Sequence, residues 1–136
     1  MQTQILFRPV GEKEMLLIIE SGYTKFPPRL AWQPLFYPVL NEQYATEIAR
    51  DWNTQDEAGN YLGFVTRFLV DKKVSDKYEV KNVGGIYHNE LWIPAEELDL
   101  FNESIVGKIE IVSYYIGNKF SGSTSELIHQ ILKSKH

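Results

Sequence analysis

The sequence predicts an α+β domain of mostly antiparallel strands, on three observations. Residues 61–70 and Ile105–Ile116 are long runs rich in β-branched and aromatic residues, the composition of strands. Residues 41–52 and the segment from 123 onward repeat apolar residues at helical spacing. Strand-like and helix-like segments mix without internal repeat or low complexity, the pattern of an α+β chain.

Each element follows from local chemistry. Residues 4–8 form a first strand, ended by Pro9. Residues 12–21 form a helix. Acidic residues occupy its first turn, Met15, Leu16, Ile18 and Ile19 supply an apolar face, and Gly22 stops it. Residues 23–34 carry Pro27, Pro28 and Pro34, which exclude helix and central strand and leave a long ordered loop. Loops of that length in small domains more often serve function than not.

Residues 35–40 form a strand that Pro38 places at an edge. Asn41 caps a helix with Tyr44, Ala45, Ile48, Ala49 and Trp52 on one face. Residues 53–60 are turn-rich, and 61–70 is the clearest strand. Residues 71–81 are charged, with Val74, Tyr78 and Val80 as anchors, and Gly84-Gly85 marks a turn. A strand follows and is cut by Pro94. Residues 95–102 form a short helix with Glu96 and Glu97 in its first turn. After the long strand Ile105–Ile116 and a loop at 118–122, Ser123 or Thr124 caps a last amphipathic helix through Leu127, Ile128, Ile131 and Leu132.

At 136 residues, 43% hydrophobic and 24% charged, the chain reads as one domain over residues 1–136. A net charge of −4 counts against a general nucleic-acid or membrane-surface binder, yet permits a local basic cleft for a phosphate-bearing ligand. With no cysteine, disulfides, Cys-ligated zinc, iron–sulfur clusters and thiol nucleophiles are excluded. The first residues lack the basic start and apolar run of a signal peptide, and Met15 to Ile19 is too short to span a bilayer. A soluble cytoplasmic protein is the expectation.

Familiar catalytic motifs are missing: no Walker loop, Gly-x-Gly-x-x-Gly, His-Glu-x-x-His or Gly-x-Ser-x-Gly occurs. Of His88, His129 and His136, only His88 has a suggestive context. His88 and Glu90 share a strand face, but two ligands without a third make a poor metal site, so no metal is expected.

The chemistry-bearing residues lie inside strands. In the run Tyr87 to Pro94, a two-residue period puts His88, Glu90 and Trp92 on one face and Asn89, Leu91 and Ile93 on the other. Leu91 and Ile93 suit a core. A carboxylate between an imidazole and an indole calls for a partner or a task. Arg8 ends the first strand at Phe7-Arg8-Pro9-Val10, Tyr37 follows Leu35-Phe36, and Arg67 sits within Val65-Thr66-Arg67-Phe68-Leu69. A strand guanidinium either reaches water or meets a carboxylate or phosphate, and Arg67 fits both descriptions.

The order of these elements resembles the ADP-ribosyltransferase-like fold. In that fold two small, mostly antiparallel sheets split to hold NAD in a cleft with flanking helices. Leu6-Phe7-Arg8-Pro9-Val10-Gly11, Phe26-Pro27-Pro28-Arg29-Leu30, Phe36-Tyr37-Pro38-Val39-Leu40-Asn41-Glu42, Ile48-Ala49-Arg50-Asp51-Trp52-Asn53, Gly63-Phe64-Val65-Thr66-Arg67-Phe68 and Glu90-Leu91-Trp92-Ile93-Pro94-Ala95-Glu96 look more closely like a small bacterial family. Its members carry the label ADP-ribosylation/crystallin J1. The crystallin half of the label points to larger, all-helical ADP-ribosyl hydrolases, which this strand-rich chain does not resemble.

The resemblance implies NAD as substrate, no metal, and an acceptor it does not name. Arg8 would take the first-strand position facing the phosphates or a ribose, and Tyr37 the middle-strand position beside nicotinamide. Glu90 would take the place of the catalytic carboxylate. Trp92 and Phe36 are further stacking candidates, and Arg67 or Arg29 would assist with phosphates. The strand motif Ser-Thr-Ser of some relatives is missing, and His88 stands where arginine-modifying relatives carry Glu or Gln. His88 would then be a general base for the acceptor or a partner of Glu90. The competing reading is a non-catalytic interaction module using Phe26, Pro27, Pro28 and Trp32 of the 23–34 loop. A single-stranded nucleic-acid binder is disfavoured by the acidic balance.

Overall fold

Alternation along the longest buried strand organises the molecule. A computed structural model describes residues 1–134, and His136 lies outside them. In chain order it contains β1 (Thr3–Val10), α1 (Glu12–Glu20), β2 (Leu35–Phe36), α2 (Glu42–Asp51), β3 (Leu62–Asp71), α3 (Lys72–Ser75) and β4 (Val80–Asn82). Then come β5 (Asn89–Leu91), β6 (Ile93–Pro94), α4 (Leu98–Glu103), β7 (Ile105–Ile116) and α5 (Glu126–Ser134). β3 is central in an antiparallel sheet of order β1-β3-β7. Leu6 and Val10 of β1 join Phe64, Phe68 and Val70 of β3 in the larger core, with Met15 and Ile18 of α1, Leu98 and Phe101 of α4 and Ile128 of α5. Phe7 and Val65 point the other way and pack with Ala45 and Ala49 of α2. The first face is therefore covered, the second is covered by α2 over Phe7 and Val65 but open at Ile5 and Arg67, and the fold is α+β with small antiparallel sheets and several helices.

Beside the main sheet, β2 pairs with β6 and β4 pairs with β5. Three ladders thus stand, among the described residues, where two sheets were expected. Residues 35–40 run antiparallel to 89–94 in a constant register: Leu35 faces Pro94, Phe36 faces Ile93 and Val39 faces Glu90. Pro38 has no N–H to give, but its carbonyl accepts from Leu91 N at 2.9 Å. Val39 also exchanges hydrogen bonds with Phe7 of β1, at 2.9 and 2.8 Å. The 35–40 segment therefore lies between β1 and the Glu90 strand, not at the edge that Pro38 suggested.

Other boundaries shift for local reasons. β1 continues through Pro9, which faces Val65. Phe7 turns its N–H and C=O toward Val39, so Pro9, two residues on, turns its proton-less nitrogen the same way and leaves the β3 ladder intact. The residues 95–102 divide into a 3₁₀ turn, Ala95–Glu97, and α4. The cap of α5 is Ser125, whose hydroxyl accepts from Ile128 N at 3.3 Å, and not Ser123 or Thr124. Trp52 ends α2 and is 73% exposed, so it does not share the buried face of that helix.

Asn41 ties α2 to the Glu90 strand. Its Oδ1 accepts from Tyr44 N at 2.8 Å and its Nδ2 donates to Tyr87 O at 2.6 Å. Asn41→Ala removes both, and a loss of about 1–2 kcal/mol is expected. Urea unfolding with an unchanged m value is the check; an unchanged midpoint would contradict this role.

Among the described residues no helix is long and apolar enough to cross a membrane.

Candidate functional site

The site begins at Pro9. The hydrogen-bonded pair Phe7–Val39 is the single bridge between β1 and the 35–40 segment. The next such pair would need an N–H from Pro9, which has none. The two segments part there, and a cavity of about 380 Å³ opens, lined by Arg8, Pro9, Arg29, Tyr37, Val39, Ile48 and Glu90. A second cavity of about 340 Å³ shares Arg8, Pro9 and Arg29 and extends to Lys13, Glu14, Pro27, Pro28, Asn53 and Asp56.

Arg8 is only 8% exposed. Its guanidinium is gripped by Glu14 of α1, Nε to Oε2 at 2.6 Å and Nη2 to Oε1 at 3.0 Å, and lies 4.6 Å from the centre of the Phe36 ring. This bidentate pair satisfies a cation that could not otherwise be buried. Arg29, half-buried, donates from Nε to Leu35 O at 2.9 Å. Burial first, and then the neighbouring Arg8 charge, push its pKa down. Two guanidinium groups thus line one wall, and the carboxylate of Glu14 is bonded to Arg8 alone. The surplus positive charge at the wall shared by both cavities suits an anion.

Glu90 is held at both oxygens. Its Oε1 accepts from Trp92 Nε1 at 2.7 Å and its Oε2 from the Tyr44 hydroxyl at 2.9 Å. Burial, the hydrogen bond to Glu90 and the Glu90 charge push Tyr44 up to about 12, so its hydroxyl keeps its proton. Tyr44 stacks on His88, with ring centres 4.5 Å apart. His88 does not pair with Glu90. Its Nδ1 accepts from Gly85 N at 3.0 Å, which leaves the ring proton on Nε2, 3.1 Å from Glu47 Oε1. The Tyr87 hydroxyl donates to the other Glu47 oxygen. The Tyr87 hydroxyl, and less strongly His88, hold the Glu47 carboxyl below its ordinary range.

Of the residues singled out from sequence, Arg8, Arg29, Tyr37 and Glu90 meet at one cavity. Arg67 does not. Alternation sends it to the face of Phe7 and Val65, where it pairs with Glu110 at 3.0 Å. Phe36 is fully buried beneath Arg8 and has no face free for a ligand. Trp92 stands opposite Tyr37, rings edge-on at 6.4 Å, with its N–H committed to Glu90 and Lys81 Nζ 5.5 Å from its ring centre. His88 lines neither cavity, and both its nitrogens are engaged.

Sequence reasoning missed Glu14, Tyr44 and Glu47. Tyr44 and Glu47 are three apart on α2 and so share an edge of that helix, a signal that was available. Nothing local tells that this edge meets the Glu90 strand, 46 residues on from Tyr44. Glu14 is joined to Arg8 only through the turn at Gly11.

In the 23–34 loop, Phe26 is 1% exposed and its N–H and C=O are both bound by the Asn102 amide, at 2.9 and 3.0 Å. The loop thereby offers Pro27, Pro28 and Arg29 as cavity wall, while Trp32 is 76% exposed. Compared with family models, curated proteins and solved structures, the chain matches none.

Proposed function

We propose that this protein binds NAD, or a closely related nucleotide, along the two adjoining cavities as an ADP-ribosyltransferase-like protein. The carrying observation is that Arg8, Arg29, Tyr37 and Glu90 line one cavity at the place where β1 parts from the 35–40 segment. The diphosphate lies against the surplus charge of Arg8 and Arg29. Nicotinamide lies beside Tyr37, with one ribose facing Glu90. The second cavity gives room for the other nucleoside.

In this reading Glu90 acts on the nicotinamide–ribose bond. As that bond breaks, its electron pair leaves with neutral nicotinamide and positive charge grows on the ribose. A fixed carboxylate stabilises that charge. The acceptor nucleophile bonds to the same ribose carbon and releases its proton to water. The protein is thereby a transferase of ADP-ribose, with the acceptor open.

A non-catalytic interaction module remains the second reading, favoured by the exposure of Trp32 and Leu30. The same loop gives Phe26 to the core and Arg29 to the cavity, which favours the first.

Thermal unfolding with NAD tests the proposal. At about 100 times the Kd, a ligand adds about 2.7 kcal/mol, which is several degrees for a chain of this size. The gain is expected with NAD and with ADP-ribose, and is expected to shrink in Arg29→Ala. No shift with either ligand at millimolar concentration would overturn the proposal.

A further inference from the structure

We propose that Tyr44 and Trp92 are positioning residues that together hold the Glu90 carboxylate pointed along the cavity, with α2 as the brace. Two donors, from different parts of the chain, each take a separate oxygen of the same carboxylate. Hydrogen bonds to a carboxylate are stronger than those between neutral groups. A carboxylate held at both oxygens has little rotational freedom. That is the requirement for stabilising charge that develops at one place.

The brace behind Tyr44 is visible. Its ring is stacked on His88, whose plane is set by Gly85 N–H on one side and Glu47 on the other. Glu47 and Tyr44 share one edge of α2, so the helix carries both the donor and the group that fixes its neighbour. Tyr87 adds a second donor to Glu47. Trp92 is fixed in turn by the edge-on Tyr37 ring and the Lys81 ammonium. This assigns the indole N–H to Glu90, so that Tyr37 is left to face nicotinamide.

The charged and titratable groups around Glu90 are Tyr44 and Glu47 from α2, His88 just before β5 and Lys81 opposite Glu90 on β4. Arg8, Arg29 and Tyr37 complete the set from the cavity wall. Lys81 is occupied by Glu79 at 2.9 Å. None of these changes when Tyr44 loses only its hydroxyl, so Tyr44→Phe isolates one hydrogen bond and keeps the ring stack.

The test is a crystal structure of the wild type, of Tyr44→Phe and of Trp92→Phe. The Glu90 carboxylate is expected in one orientation in the wild type and in two or more in each variant, with the backbone unmoved. For the activity readout, which rests on the function proposed above, kcat for nicotinamide release is expected to fall about tenfold at unchanged KM. A Glu90 carboxylate that keeps its single wild-type orientation in either folded variant overturns the proposal, whatever the activity does. If the wild type releases no nicotinamide, the proposed reaction falls, while the carboxylate orientation still decides the positioning role.

Discussion

Glu90→Gln is expected to lower nicotinamide release from NAD by about a thousandfold while leaving the protein folded and still able to bind the nucleotide. Glutamine has nearly the same volume, and its carbonyl still accepts one of the two hydrogen bonds now made by Tyr44 and Trp92. It carries no charge. About 4 kcal/mol of transition-state stabilisation would be lost, comparable with removing a preorganised oxyanion donor elsewhere. Because Glu90 lies in a partly exposed strand, its substitution has little core packing to disturb. Two measurements check the argument: the rate of nicotinamide release, and the melting temperature with and without NAD. A rate within a few-fold of wild type would remove Glu90 from the chemistry. A lost NAD-induced shift at an unchanged rate would make it a binding residue instead.

A large loss of stability is expected of Gly63→Ala. Gly63 lies on β3 beneath α2, and a Cβ placed there would meet Ala49 O at 2.5 Å and the Ala49 Cα at 2.9 Å. Both are backbone atoms of the helix, so no side chain can swing aside. Either α2 lifts from the sheet or β3 bends, and about 3 kcal/mol of stability is expected to go. Against a total of about 5–15 kcal/mol, that is a large share, and it corresponds to a melting temperature lower by about 10 °C. The same lift carries Tyr44 away from Glu90, so activity is expected to fall beyond what unfolding explains. A calorimetric scan showing Gly63→Ala as stable as wild type would contradict this account of the α2–β3 contact.

Where one local signal dominates, the sequence and the structure agree. Gly22, at φ +76°, ends α1 as expected of a residue free to adopt the left-handed conformation. Asn41 caps α2, and Leu91 and Ile93 are buried while His88, Glu90 and Trp92 are not. These follow from periodicity and capping, which act over a few residues.

The misplacements share a different cause. Pro38 was read as an edge signal, but a strand residue can stay interior when only its carbonyl is needed, and Leu91 uses that carbonyl. Pro9 suggests the end of a strand. Its missing N–H instead faces the neighbouring segment and opens the cavity. By sequence, Arg67 and Arg8 are both strand guanidiniums, and Arg8 alone ends its strand. They lie on opposite faces of the sheet, so one meets Glu110 in solvent and the other Glu14 beneath the loop. Ser125 displaced its two neighbours as the cap because it directly precedes Glu126.

The sequence by itself determined the long strands, the main helices and the odd face carrying Glu90. Each of these is set by side-chain period and backbone propensity. Only the tertiary structure decided that α2 braces the Glu90 strand, that Arg8 shares its wall with Arg29, and that His88 answers to Glu47. Those pairings join residues 21 to 46 apart, through the packing of a helix on a strand or a loop on a sheet. Their distances are set by core volume and by the close approach at Gly63, to which no local pattern gives access.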